Sequence, residues 1–141
     1  MMATKTVYMG TTKIAVGKTS GEIIQVLVAS GARQVAMEYT PAGRLAGLRF
    51  TIPVSGSDVL FELPARVDPL LKYTRQDRAQ AERVAWRQLL RWCQAQLAMI
   101  EVGMLKAEEV YTPYAVQPNG RTLFEALTES RFKMLAAAQD A

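Results

Sequence analysis

Arg83, Arg87 and Arg91 recur at i, i+4 and i+8, a spacing that lines three guanidinium groups along one side of a helix. Like charges so placed destabilise an isolated helix by a few tenths of a kcal/mol per pair, roughly. No acid shares that arc before Glu101, so the stripe points to a bound anion or an acidic partner. Arg75, Arg78 and Lys72 extend the same positive field toward the start of the helix. Trp92 stands beside Arg91 at the shoulder of the apolar arc, where an indole can stack a base at about 1–3 kcal/mol. Its competing role is to pack against a C-terminal segment carrying Tyr111, Tyr114 or Phe124. Nucleic acid, single-stranded DNA first, is the ligand class that arginines and an aromatic ring suit together.

Other chemistry is thin. The chain has no histidine, which removes the commonest general base, the Ser–His and Cys–His pairs and most zinc sites. Cys93 is the only cysteine and falls in the apolar arc, the position of a buried structural thiol. Glu108 and Glu109 are adjacent and diverge by about 100° on a helix, and Glu101 with Glu108 reads as a solvated stripe, so no metal site is expected. Gly17-Lys18-Thr19 has the end of a phosphate loop, but the motif requires glycine at position 12, where Thr12 stands. No catalytic residue and no cofactor follow from this inventory. The expectation is a binding protein and not an enzyme.

The elements that would position these residues follow from periodicity. Trp86, Leu89, Leu90, Cys93, Leu97, Ile100 and Met104 occupy one arc, which predicts a long helix over 75–105, about 46 Å in extent, with Thr74 as its N-cap. That is longer than a small domain needs for coverage, so part of the 86–104 face should be buried against the C-terminal segment or a second subunit. Three runs alternate with period two: Arg33–Thr40, Leu45–Pro53 and Asp58–Leu63. They predict a three-stranded antiparallel meander whose buried face carries Val35, Met37, Phe50, Ile52, Val59 and Phe61. Short β-prone runs at Thr6–Met9 and Lys13–Val16 are candidates for an N-terminal edge strand. Thr19 and Glu22 form a capping-box pattern ahead of a first helix over 20–30, with Ile23, Ile24, Leu27 and Val28 inward and Gly31 as its C-cap. A short helical turn is expected over 106–110. Thr122 and Glu125 open a final short helix over 123–135, and residues 136–141 should fray. The fold class is α+β, one domain over residues 1–141.

Charge and composition agree with a globular domain that attracts polyanions. Half the residues are apolar and the net charge is +4. Seven cations, Arg66, Lys72, Arg75, Arg78, Arg83, Arg87 and Arg91, lie between residues 65 and 100 against three acids, Asp68, Asp77 and Glu82. No run approaches the roughly 20 apolar residues of a membrane span, and Met1–Val7 lacks the apolar segment of a signal peptide. A cytoplasmic location is therefore expected.

Ala85-Trp86-Arg87-Gln88-Leu89-Leu90-Arg91-Trp92, Ile100-Glu101-Val102-Gly103-Met104 and Pro118-Asn119-Gly120-Arg121-Thr122-Leu123 resemble a family of small uncharacterised bacteriophage and prophage proteins. Lys18-Thr19-x-x-Glu22-Ile23 and Phe61-Glu62-Leu63-Pro64 fit the same pattern. The resemblance implies a phage origin, expression in the cytoplasm of a bacterial host, and neighbours among replication and recombination genes. It brings no catalytic motif and no functional residues. The rival expectation is a protein–protein inhibitor of a host defence or nuclease system, with a host or phage protein as partner. A third is an oligomeric scaffold in which the long helix self-associates as a homodimer or higher oligomer.

Overall fold

Alternation builds the sheet. The structure, a computed structural model, describes residues 5–140, with side chains through residue 136. Strands β1 (Gln34–Tyr39), β2 (Leu45–Val54) and β3 (Ser57–Pro64) pair antiparallel in the order β1-β2-β3. Leu48, Phe50, Ile52, Phe61 and Leu63 are buried on one face, and Phe50 stacks on Phe61 at 5.5 Å between ring centroids. The opposite face holds Arg49 between Glu38, at 3.1 Å, and Glu62, at 3.5 Å. The expected register therefore stands on β2 and β3. On β1 it fails in part: Val35 is half-buried, but Met37 and Tyr39 are exposed, because β1 is the outer strand and its far end passes beyond the covering helices.

Helix α1 (Val16–Ala29) begins four residues earlier than expected. Its N-cap is Ala15, without a side-chain cap, and Thr19 sits inside the helix, where its hydroxyl donates to the Ala15 carbonyl. The Thr19–Glu22 pattern is thus not a capping box, since Glu22 is drawn away by Arg87. Ile23 and Leu27 are buried, Ile24 is half-buried and Val28 is exposed. Gly31, at φ 112°, closes the helix as expected. No N-terminal edge strand forms among the described residues. The segment before α1 turns at residues 8–11, with Met9 at φ 62° and Gly10 N–H donating to Val7 O at 2.8 Å.

Helix α2 (Arg78–Glu101) is shorter than the expected 75–105 span at both ends, about 36 Å long. Pro69 starts a 3₁₀ turn over Asp68–Tyr73, and Arg75 and Gln76 then take left-handed conformations at φ 52° and 64°, which no helix can include. Asp77, not Thr74, is the N-cap and accepts from Gln80 N–H at 3.2 Å. Gly103 at φ 80° ends the helix, leaving Met104 outside it and exposed.

From Ala81 to Cys93, α2 is covered on three sides. Trp86, Leu90 and Cys93 join the core made by the sheet and α1. Ala81, Val84 and Ala85 join Leu70 in a second cluster with Val7, Val67 and Tyr73. Arg87 faces α1. A helix walled in this way explains the length that seemed excessive for one sheet to cover.

The remaining chain closes over the sheet. Helix α3 (Ala107–Tyr111) delivers Tyr111 to the core, edge-on to Phe50 at 5.2 Å. A 3₁₀ turn over Thr112–Tyr114 leads to Val116, whose N–H donates to Leu60 O at 2.8 Å. The turn at residues 118–120 precedes α4 (Leu123–Glu129), whose Thr122–Glu125 capping box is present. The single expected last helix is instead two. Arg131 and Phe132, at φ 56° and 57°, separate α4 from α5 (Lys133–Asp140). Helix α5 runs through Asp140, so the expected fraying over 136–141 is not seen in the described backbone.

Candidate nucleic-acid interface

The arginine stripe separates in the folded chain. Arg83 is half-buried, and its Nε and one terminal nitrogen donate to Gln80 Oε1 at 2.9 and 2.7 Å. Gln80 in turn donates to the Gly10 and Thr12 carbonyls, both at 3.0 Å, so Arg83 supports the docking of the N-terminal segment on α2. Arg87 is only 5% exposed and reaches Glu22 at 3.2 Å and the Thr19 hydroxyl at 3.4 Å across the α1–α2 contact. Arg91 is exposed and donates to Gln94 at 2.9 Å. Helical spacing placed the three on one arc, but α1 covers the middle of it.

A different set of arginines converges. A cavity of about 540 Å³ lies between the β1–β2 turn, the β3–α2 linker and the start of α2, and Arg44, Arg66 and Arg78 line it. Glu82 holds Arg44, and Asp68 holds Arg78 at 2.8 Å. Arg66 forms no ion pair among the described residues; its guanidinium lies 5.9 Å over the Phe124 ring. A second cavity, of about 340 Å³, continues past Arg66 between Pro64, Leu70, Leu89, Trp92 and Tyr114. A third, of about 220 Å³, joins Arg66 to Tyr114, Thr122 and two carboxylates, Glu62 and Glu125. Arg66 therefore stands where three depressions meet, with guanidinium groups on one side and aromatic rings on the other.

Trp92 is half-buried and meets Tyr111 and Tyr114 edge-on, at 5.7 and 6.3 Å. It thus packs on the C-terminal segment while still forming part of the groove wall. Lys72 is exposed over Tyr73, 5.4 Å from its centroid, and Arg75 is exposed on the left-handed turn before α2. Of the residues singled out from the sequence, only Arg78 and Trp92 line this groove. Arg44 was not named, and Arg66 was only counted among the cations of residues 65–100. Neither belongs to a periodic pattern, and only the closure of the meander onto the linker brings them together. The one local signal was Pro64 and Pro69 bracketing a stiff segment with a lone arginine in it.

The buried groups are poor candidates for chemistry. Burial raises the Cys93 thiol to about 11, and burial likewise drives the Tyr111 phenol far up, with Cys93 beside it adding to the effect. The Thr122 backbone N–H holds the exposed Glu125 carboxyl below the usual carboxylate range. Among the described residues no three His, Cys, Asp or Glu side chains cluster as metal ligands, and no helix is long and apolar enough to cross a membrane. Comparison with models of known protein families, with curated proteins and with solved structures finds no match.

Proposed function

We propose that this chain is a non-enzymatic phage accessory protein that binds nucleic acid, single-stranded DNA in particular, during replication or recombination in the host cytoplasm. The observation that carries the reading is Arg66, at the meeting point of an arginine-lined cavity and an aromatic-walled one. Phosphates would sit near Arg44, Arg66 and Arg78, and a base would lie along the Trp92–Tyr114 wall. Arg44 and Arg78 already have carboxylate partners, so a phosphate must share them; Arg66 has no direct ion pair among the described residues, although Glu125 lies near enough to feel its charge. Such a groove fits one strand, since an aromatic wall recognises an unstacked base. Lys72 and Arg75, outside the groove, add a sequence-independent field. The phage origin rests on the resemblance of the sequence segments described above.

One observation favours the second reading, an inhibitor that acts by binding a host nuclease or defence protein. Phe124, Phe132, Met134 and Leu135 are all exposed on α4, α5 and the turn between them, an apolar surface suited to a protein partner. Fluorescence-polarisation titrations against single-stranded DNA, duplex DNA and RNA at two salt concentrations separate the two. Single-strand binding that weakens with salt supports the groove. Absence of binding to all three at low salt rejects it in favour of the protein partner.

A further inference from the structure

The two edges of the sheet are finished differently. On the β3 side the chain returns over the edge: Val116 N–H donates to Leu60 O at 2.8 Å, and Ala115 bridges Phe61. On the β1 side nothing among the described residues pairs with the outer edge. Alternate residues from Gln34 to Tyr39 therefore turn their N–H and C=O groups outward, the template that another strand completes.

Monomeric proteins guard such an edge with proline, lysine, an inward charge or a covering loop. β1 has no proline and no lysine, and its one charge, Glu38, is already held by Arg49 at 3.1 Å. Its register irregularity lies at Glu38/Tyr39, near the strand's end, and leaves Gln34–Met37 regular. Met37 and Tyr39 are 44% and 59% exposed, on the same face as the half-buried Val35. An apolar strip thus runs off the core to the open edge and stops there.

We infer that β1 is the docking surface for a second copy of this chain, which pairs antiparallel through its own β1 to give a continuous six-stranded sheet. The strand is complementary to itself. With the two-fold axis at Ala36, Val35 of each copy lies opposite Met37 of the other, extending the apolar face across the junction. Gln34 lies opposite Glu38, an amide facing a carboxylate, and Arg33 lies opposite the ring of Tyr39. No like charges meet, and because residues of equal parity face each other, both copies keep their helices on one side. The pairing is isologous and closes at two copies, leaving no further edge of this kind. The pairing strand itself lines none of the groove, although Thr40 and Arg44 of the adjoining β1–β2 turn do, and a dimer would carry two grooves. A six-residue strand pair is a small interface, so the dimer should form at micromolar concentration and above.

Sedimentation of the 141-residue chain between about 5 and 200 μM tests this, with the 15.6 kDa monomer as reference. The expected result is a reversible shift to twice that mass, abolished by Met37→Lys with the circular dichroism spectrum unchanged. Val28→Lys, on the exposed face of α1, should leave it intact. Ala36→Cys should form an intermolecular disulfide under mild oxidation, since the axis brings the two positions within reach and the native Cys93 is buried. A monomer throughout overturns the inference and leaves the edge open to a strand of another protein. A dimer that survives Met37→Lys and gives no Ala36→Cys cross-link overturns it too, and moves the interface to the exposed apolar residues of α4 and α5.

Discussion

Arg87 and Glu22 separate a structural arginine from a ligand-binding one. The Arg87 side chain is 6% exposed and its partner Glu22 37% exposed, so water solvates the carboxylate but not the guanidinium. Removing the acid strands a buried cation with only the Thr19 hydroxyl near it, at 3.4 Å, and with Nε already unpartnered. Breaking a fully buried pair costs about 3–5 kcal/mol; with one partner half in water, Glu22→Ala should cost about 2–3 kcal/mol. Arg87→Met acts the other way. It removes the charge that had to be desolvated, keeps helix propensity and leaves Glu22 in contact with water, so stability should stay within about 1 kcal/mol of the parent or rise. At a urea m-value of about 1.5 kcal/mol/M, the first variant should lower the unfolding midpoint by about 1.3–2 M and the second should scarcely move it. Arg87→Met should also leave the salt dependence of nucleic-acid binding unchanged. If Arg87→Met destabilises more than Glu22→Ala, or lowers that salt slope, the buried structural role assigned to Arg87 is wrong.

Two further perturbations probe the core and the sheet. Burial raises Cys93 from 9.0 to about 11, so above pH 9 the unfolded chain releases a proton that the folded chain retains, and stability should fall by roughly 2 kcal/mol as pH rises from 9 to 11; urea midpoints over that range should decline more steeply for the parent than for Cys93→Ala, and parallel curves would refute the assignment. At Gly47 an added Cβ would lie 2.6 Å from the Leu63 carbonyl oxygen on the neighbouring strand, so Gly47→Ala should destabilise by about 1–3 kcal/mol in a thermal melt, whereas an unchanged melting temperature would mean the strands are not so closely apposed.

The sheet was legible because every second residue of β2 and β3 meets the same core, and a period of two leaves no ambiguity of face. The same pattern misled at β1, since Met37 and Tyr39 alternate correctly but the cover ends before reaching them. The ends of α2 were misjudged for a local reason. Arg75 and Gln76 have ordinary helical propensity, and nothing in their side chains signals the left-handed conformations they take after the 3₁₀ turn that Pro69 begins. The break at Arg131 and Phe132 is equally silent in the sequence. The arginine stripe was read correctly as an arc and incompletely as a surface, because periodicity says which residues share a side and not what lies against it. Trp92 takes the second of its anticipated settings, packed on Tyr111 and Tyr114, and also lines the second cavity. Arg44 and Arg66 could not be found by spacing at all: their proximity is a property of topology.

The most direct test of the groove compares Arg66→Gln with Arg91→Gln in single-stranded DNA binding over a series of salt concentrations. Both remove one cation, so a diffuse field would treat them alike. If phosphate sits at Arg66, that variant should lower the slope of log affinity against log salt by about 0.7, while Arg91→Gln should leave it near the parent value. Trp92→Leu, measured alongside, should weaken binding with little change in slope, since stacking releases no counterions. An Arg66→Gln slope equal to the parent's, or equal losses from Arg66→Gln and Arg91→Gln, would contradict the groove as the nucleic-acid site.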